Sequence, residues 1–242
     1  MVTETKQYKP VKNLLSKGNT NSKTAKNDSE TYILYLAPYN QNSKKINICP
    51  KASKGCAKSC LFSAGRGAFS NVINSRLNKT EYFLHDKKTF INQLAIELIK
   101  INKKASKNTN QTLIRLNGTS DLDFIYLLKK YASFDISNYQ NLHFYDYTKI
   151  LGKVKKYAND KNYTLTFSRA EDNEKDIFEA INYGANVSAV FSGDLPKQYK
   201  GIPVYDGDKT DNEMLKFKSV ILGLKAKGKA KKDTTGFVIN NY

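Results

Sequence analysis

The chain has 242 residues, of which 40% are hydrophobic and 12% aromatic, enough for one large α/β domain or two small ones. No run approaches eighteen apolar residues, so the sequence predicts no membrane-spanning helix, and residues 1–10 lack the apolar segment of a signal peptide. The formal charge of +18 favours a polyanionic partner such as nucleic acid. However, 36 of the 40 basic residues are Lys and Asn is abundant, a composition that an AT-rich genome also produces.

The first 29 residues differ in composition from the rest of the chain. They are rich in Lys, Asn, Ser and Thr and contain few apolar positions, which predicts a flexible basic arm over residues 1–29. Since no linker divides the remainder, residues 30–242 are predicted to form a single α/β domain.

Apolar periodicity and turn residues predict strands that alternate with helices. In chain order, the strands are predicted at 31–37, 46–48, 112–118, 142–147, 163–168, 187–191, 202–205 and 219–222. The helices are predicted at 69–85, 86–101, 121–132, 148–159 and 174–183, with Ser120 as the N-cap of the third. This alternation is typical of repeated βαβ units, so we expect a parallel sheet in a partial or complete β/α barrel, with a doubly wound open sheet as the alternative.

Polar side chains follow the predicted strands at their carboxyl ends, where both architectures bind ligands. We therefore expect them to converge on one mouth, with Asp121, Asp146 and Lys149 orienting substrate or moving protons. The other candidates would bind substrate. They are Arg115, Asn117, Ser120, Tyr147, Ser168, Arg169, Asp206, Asp208, Lys225 and Lys227.

The four arginines stand out in a chain that otherwise uses Lys. They are Arg66, Arg76, Arg115 and Arg169. Because almost every other basic position of the chain is Lys, an arginine indicates a need for a planar, bidentate donor. Arg66, Arg115 and Arg169 are therefore predicted to clamp carboxylate or phosphate groups.

All three cysteines of the chain, Cys49, Cys56 and Cys60, lie in one short loop after the first predicted strands. Thiols so close in sequence can surround one centre, which predicts a metal site. Zinc takes four N or S ligands and would need His85, His143, a carboxylate or water as the fourth. An iron–sulfur cluster is held by thiolates, and three of them leave one iron open. A disulfide with one free thiol, or three buried cysteines, are the alternatives without metal.

Several motifs together resemble the phage gene product 88 domain family. They are Cys-Pro-Lys-Ala-Ser-Lys-Gly-Cys-Ala-Lys-Ser-Cys at 49–60 with the glycines that follow, Arg-Leu-Asn-Gly-Thr-Ser-Asp at 115–121, Tyr-Asp-Tyr-Thr-Lys at 145–149, Tyr-Asp-Gly-Asp at 205–208 and Gly-Leu-Lys-Ala-Lys-Gly at 223–228. The resemblance runs from about residue 32 to residue 238. It implies an origin in bacteriophages or related mobile elements and names no activity.

The chain is more distantly similar to radical S-adenosylmethionine enzymes, which share a β/α barrel with a three-Cys loop near its start. Those enzymes have Cys-x3-Cys-x2-Cys, whereas this chain has Cys-x6-Cys-x3-Cys and shows no clear Gly-Gly-Glu segment after its next strand. The similarity implies a 4Fe-4S cluster ligated by the three cysteines, with S-adenosylmethionine as a further ligand.

Two functions are therefore expected. The first is an iron–sulfur enzyme that acts on an anionic small molecule or nucleotide. The alternative is a zinc-stabilised, nucleic-acid-binding phage protein without catalysis. Clustered rather than paired cysteines favour a reducing compartment, so the cytoplasm of the bacterial host is the expected location, with no membrane partner.

Overall fold

The structure is a computed structural model that describes residues 7–20, 24–26, 29–60, 62 and 65–240. It contains a ten-stranded sheet, and its strands are β1 (Leu15–Lys17), β2 (Thr31–Leu34), β3 (Thr112–Arg115), β4 (Leu142–Thr148), β5 (Tyr163–Ser168), β6 (Asn186–Phe191), β7 (Gln198–Tyr199), β8 (Ile202–Asp206), β9 (Ile221–Lys225) and β10 (Val238–Ile239). The helices are α1 (Lys54–Lys58), α2 (Ser70–His85), α3 (Lys87–Ala105), α4 (Phe124–Ala132), α5 (Leu151–Tyr157), α6 (Ile177–Asn182) and α7 (Asp211–Met214).

The order of the strands is β1-β2-β3-β4-β5-β6-β9-β8-β7, and β10 pairs with β6 beyond the end of β5. All pairs are parallel except those of β1 with β2 and of β7 with β8, at the two edges. The sheet therefore confirms the α/β class, but it does not close into a complete barrel. From β2 to β6 the order advances in one direction, which differs from the reversal expected in a doubly wound sheet.

Helices cover one face of the sheet, because right-handed crossovers that advance in one direction place their helices on the same side. Thus α5 packs against β4 and β5, α6 packs against β6, and α3 packs against α2 and α4. Alternate strand residues enter this apolar core, among them Leu34, Ile114, Phe144 and Leu165.

The opposite face of the sheet, here called the inner face, carries polar and aromatic side chains. Its residues alternate with those of the core and include Arg115, Tyr145, Tyr147, Thr166 and Ser188.

Helix α7 follows β8 in the chain, but it contacts β4 and the segment before β2, which lie far from β8 in the strand order. The Tyr145 hydroxyl donates to Asp211 Oδ2 at 2.6 Å, and Asn212 Nδ2 donates to Ser29 Oγ at 3.1 Å, just before β2. The segment that follows β8, near one edge of the sheet, thus reaches β4 in the middle of the strand order and the start of β2 near the other edge.

Part of the predicted N-terminal arm is packed. Residues 1–6, 21–23 and 27–28 lie outside the described residues, but Leu15–Lys17 pair with β2. Leu14 is fully buried, and the backbone amides of Leu14 and Leu15 donate to the two carboxylate oxygens of Glu97, at 2.8 and 2.9 Å.

Two local predictions were wrong. Residues 46–48 are irregular, because the Asn42 side chain bonds both the amide and the carbonyl of Ile46. Helix α4 begins after Asp123, which caps it by accepting from Tyr126 N, whereas Ser120 donates to Asn117 Oδ1 instead. In the described part of the chain, none of the helices has the length and apolar character needed to cross a bilayer.

Candidate functional site

The cysteine loop follows β2 and contains the short helix α1. Ser53 caps this helix by accepting from Cys56 N at 3.1 Å, so Cys56 lies inside the helix, with Cys49 before it and Cys60 after it. All three cysteines are free thiols, and each is partly buried. A disulfide is therefore not formed among them.

The three thiols lie within electrostatic reach of one another, but their surroundings differ. Cys49 Sγ accepts from Tyr39 N at 3.4 Å and donates to Thr119 O at 3.7 Å. Burial raises the pKa of Cys49 to about 12, and the other two thiols and Asp121 act in the same direction. The pKa of Cys60 is also raised by burial, but the cations Arg76 and Lys149 oppose this change.

The candidate metal ligands in the loop are the three cysteine thiols, which bind metals as thiolates. Among the described residues, no group of three His, Cys, Asp or Glu side chains is arranged to hold one metal ion. A cluster is larger than an ion, so its thiolate ligands stand farther apart than the about 3.8 Å that tetrahedral zinc imposes on two sulfurs. The histidines have other neighbours, since His85 Nε2 lies 3.4 Å from Glu81 Oε2 and His143 Nε2 lies 2.9 Å from Thr164 Oγ1. The three free thiols supply the type of ligand that an iron–sulfur cluster uses.

The loop is attached to other segments at the carboxyl edge of the sheet. Glu171, just after β5, accepts from Ser53 Oγ and from Gly55 N, each at 2.7 Å. Gly55 is also packed so tightly that an added Cβ would lie 2.2 Å from Thr235 Oγ1 and 2.5 Å from Phe237 Cβ. The segments that follow β2 and β5 and precede β10 therefore meet beside the cysteines, and we call this region the mouth.

Both predicted catalytic carboxylates, those of Asp121 and Asp146, are deeply buried and hydrogen-bonded. Asp121 accepts from Thr148 Oγ1, Lys149 N and Lys153 Nζ at 2.8–3.0 Å. These bonds hold the loops after β3 and β4 together. Asp121 is buried and already accepts three bonds from the protein, so its contacts favour a positioning role.

Asp146 organises the turn after β3. It accepts from the amide and the side chain of Asn117, at 2.7 and 3.0 Å, and from Tyr163 OH at 3.2 Å. Asn117 Oδ1 in turn accepts from Ser120 Oγ. Burial raises the pKa of Asp146, against the effect of Lys153, Arg115 and the bonds from Asn117.

The remaining candidates fall into separate groups. Ser168 Oγ lies 3.1 Å from Ser188 Oγ on the inner face, and Arg169 Nη1 donates to the carbonyls of Gly236 and Phe237, tying β10 to the end of β5. Asp208 accepts from Lys225 N and Lys227 Nζ, and its own amide bonds Asp206 Oδ1. Arg66 is exposed in a 3-10 turn, and Arg115 stacks on Tyr147 with its Cζ 4.7 Å from the ring centroid.

Several residues that contact the cysteine loop or the other candidate residues were not predicted to belong to the site. Glu171 and Lys153 carried no motif, and their partners are distant in sequence. Arg76 was noticed as one of four arginines but received no role. Its guanidinium lies over the rings of Tyr35 and Phe62, at 4.8 and 5.3 Å from their centroids. The sequence places Arg76 in a helix, but its contact with Tyr35 depends on how α2 packs against the segment after β2.

The raised pKa of Cys49 predicts slow alkylation in metal-free protein. At pH 8 an ordinary thiol with a pKa of about 8.5 is roughly one quarter ionised, whereas a thiol with a pKa near 12 is ionised in about one molecule in ten thousand. We expect iodoacetamide to modify Cys49 at least about 100-fold more slowly than glutathione in the same tube. Because the thiolate fraction rises until the pH reaches the pKa, the rate at Cys49 should still increase well above pH 9. Peptide mass spectrometry measures both, and a rate equal to that of glutathione would show that Cys49 is not buried.

Comparison with known proteins identifies the family of the chain. No curated protein and no solved structure matches it. The family model described as gene product 88 matches residues 13–241, which include the cysteine loop, every strand of the sheet and the mouth. The chain therefore belongs to the gene product 88 family of phage proteins.

Proposed function

We propose that this phage protein is an iron–sulfur enzyme of the radical S-adenosylmethionine-like type that acts on an anionic small molecule or nucleotide. The observation that carries the proposal is the set of three free, partly buried thiols, Cys49, Cys56 and Cys60, within electrostatic reach of one another in one loop. Free cysteines that serve only packing have no need to cluster in this way.

The position of the loop supports an enzyme rather than a purely structural metal site. The loop lies at the carboxyl edge of a sheet that advances in one direction and carries polar side chains on its inner face, as in a partial β/α barrel. That edge is where parallel β/α folds place their ligands. The cations Arg76 and Lys149, near Cys60, would offset part of the negative charge of a thiolate-ligated cluster.

A cluster held by the three thiolates would keep one iron open for a ligand such as S-adenosylmethionine and supply an electron to it. The chain itself would bind and orient the substrate. Of the predicted catalytic residues, Lys149 is the best placed to touch a substrate, because its ammonium lies near Cys60 and 5.5 Å from the centroid of the Phe237 ring. Asp121 would position it by accepting from its amide.

The direct test is anaerobic purification followed by iron, sulfide and zinc analysis and a visible spectrum. We expect about four iron and four sulfide per chain with a broad absorption near 400 nm. Replacing Cys56 by Ser should remove most of the iron, whereas Asp208→Asn should leave the iron content unchanged, because among the described contacts the carboxylate of Asp208 accepts only from Lys225 and Lys227 of the β9 segment. Equal iron loss in the two variants would contradict the ligand assignment.

A zinc-stabilised nucleic-acid-binding protein is the second candidate, and one surface feature favours it. A cleft of about 290 Å³ beside Cys60 is lined by Lys58, Ser59, Lys229, Lys232 and Asp233. If one zinc per chain replaces the iron, single-stranded DNA binding should be measured against salt, since phosphate contacts make the affinity fall steeply as salt rises.

A further inference from the structure

A basic cleft lies between the cysteine loop and the turn that precedes β10. It is lined by residues of both segments, Lys58 and Ser59 on one side and Lys229, Lys232 and Asp233 on the other. Its volume of about 290 Å³ is at the lower end of the range for small-molecule sites. Because Ser59 directly precedes Cys60, the cleft lies next to the candidate metal ligands.

The wall that contains Lys229 and Lys232 is packed onto the sheet. Residues Gly228–Lys232 form a 3-10 turn in which Ala230 is buried, whereas the lysines of the turn are exposed. Ala230 shares an apolar cluster with Val238 of β10, and its carbonyl accepts from the amide of the residue after the turn at 3.0 Å. The backbone of this wall is therefore fixed before a ligand binds, which lowers the cost of binding.

The lysines of the cleft carry charge that no ion pair neutralises in the described part of the chain. Lys225 and Lys227, which precede the turn, each pair with an aspartate, at 2.9 and 2.7 Å. Lys58, Lys229 and Lys232 form no such pair with any described carboxylate. Their ammonium groups are therefore available to an anionic ligand.

The one carboxylate of the cleft, that of Asp233, bonds within its own loop. Its Oδ1 accepts from Thr235 Oγ1 at 2.7 Å, and its Oδ2 accepts from Val238 N at 3.0 Å. Burial acts to raise the pKa of Asp233, but these bonds outweigh it and keep the pKa below its usual value. Three lysines and one ionised aspartate give the cleft a net charge of 3 − 1 = +2.

We infer that this cleft binds the phosphate group of a small molecule such as a nucleotide. A phosphate monoester carries a charge of about −1.5 to −2 at pH 7, which matches the charge of the cleft better than a single carboxylate does. Lys binds phosphate as a point charge, and the hydroxyl of Ser59 supplies a further donor. A cleft of this size can enclose one or two phosphate groups, whereas a nucleic-acid strand follows an extended groove.

The inference rests on the proposed function only in assigning the phosphate to the substrate of the enzyme, because binding by these lysines does not require metal. It adds to that proposal the chemical group that the substrate carries and the place where this group is held, next to Cys60.

The test is titration of the full chain with pyrophosphate and, separately, with ADP, without magnesium and at constant ionic strength. The affinity for at least one probe should fall about fivefold or more in Lys58→Gln, in Lys229→Gln and in Lys232→Gln. Lys231→Gln is the matched control, since it removes the same charge from the same turn at a residue that does not line the cleft. It should change the affinity less than about twofold, because salt screens a charge that is not in contact with the ligand.

A second measurement on the unaltered chain protects the test against misfolded variants. Acetic anhydride modifies exposed lysines, and bound pyrophosphate should slow its reaction at Lys58, Lys229 and Lys232 but not at Lys231, as read by peptide mass spectrometry. The inference is overturned if neither probe binds, if no lysine of the cleft is protected, or if Lys231→Gln loses as much affinity as the three cleft variants.

An oligothymidylate strand is the third probe, and it separates a small phosphate ligand from nucleic acid. If the strand binds and the two small probes do not, the cleft belongs to a nucleic-acid surface and the inference is overturned. Binding of pyrophosphate in a chain that purifies without iron would sustain the phosphate site while contradicting the iron–sulfur proposal. A chain that contains iron but binds neither small probe would contradict the phosphate site alone.

Discussion

Replacing Lys153 by Met should lower the free energy of unfolding by about 3–5 kcal/mol, because it strands a buried carboxylate. Lys153 Nζ lies 3.0 Å from Asp121 Oδ1 and 3.1 Å from Leu122 O, and the two charged side chains are only 6% and 10% exposed. Thr148 and the amide of Lys149 would continue to donate to Asp121, which places the expected loss near the lower end of this range.

Urea denaturation of the variant and of a matched exposed pair would test this expectation. Lys129→Met removes the partner of Asp135 from a pair whose side chains are 74% and 40% exposed, and such pairs contribute no more than about 1 kcal/mol. The double variant with Asp121→Asn and Lys153→Met should recover much of the stability, since neither charge of this pair is then left buried. A loss in Lys153→Met as small as in Lys129→Met would contradict the buried ion pair.

Replacing Gly118 by Ala should destabilise the protein by about 2–3 kcal/mol, because there is no room for the added methyl group. An added Cβ would lie 2.6 Å from Tyr35 Cδ1, 2.8 Å from Ile33 Cγ2 and 2.8 Å from the carbonyl oxygen of Leu34. The backbone there cannot withdraw, since Gly118 N donates to that same carbonyl at 3.0 Å. Tyr35 must therefore move, which also disturbs the stacking of Arg76 on its ring.

Gly152→Ala is the control for this variant. Gly152 lies in α5, and an added Cβ would meet no atom within 4 Å. Alanine at an unstrained helical position stabilises by roughly 0.5–1 kcal/mol relative to glycine. Opposite signs for the two glycine variants in thermal or urea unfolding would support the packing of Tyr35 against the turn after β3, and equal effects would contradict it.

Long, regularly patterned segments could be predicted from the sequence. The strand at 163–168 and the paired helices α2 and α3 agree with their apolar periodicity to within a few residues. The strands β1, β7 and β10 were missed, because segments of two or three residues carry too little pattern to indicate a strand. The cap of α4 was misplaced because Ser120 and Asp123 are both good N-cap residues, and only the bond from Ser120 to Asn117 distinguishes them.

The proximity of candidate residues could be predicted where it follows from their spacing in the sequence or from the direction of the strands. The three thiols are adjacent in sequence, and the parallel strands bring Asn117 and Asp146 together at one edge, as expected. The pairing of Lys153 with Asp121 and the stacking of Arg76 on Tyr35 depend on how helices pack against strands. Sequence periodicity shows which face of a helix is buried, but not which side chains it meets.

The attachment of β10 has a consequence for the order in which the protein is made. Residues 233–239 pack against Gly55 and pair with β6, yet they leave the ribosome long after the three cysteines have done so. Until then, Glu171 and the β10 segment cannot both hold the cysteine loop. The three thiols of the nascent chain are therefore less enclosed than in the folded protein until the residues around β10 have been synthesised.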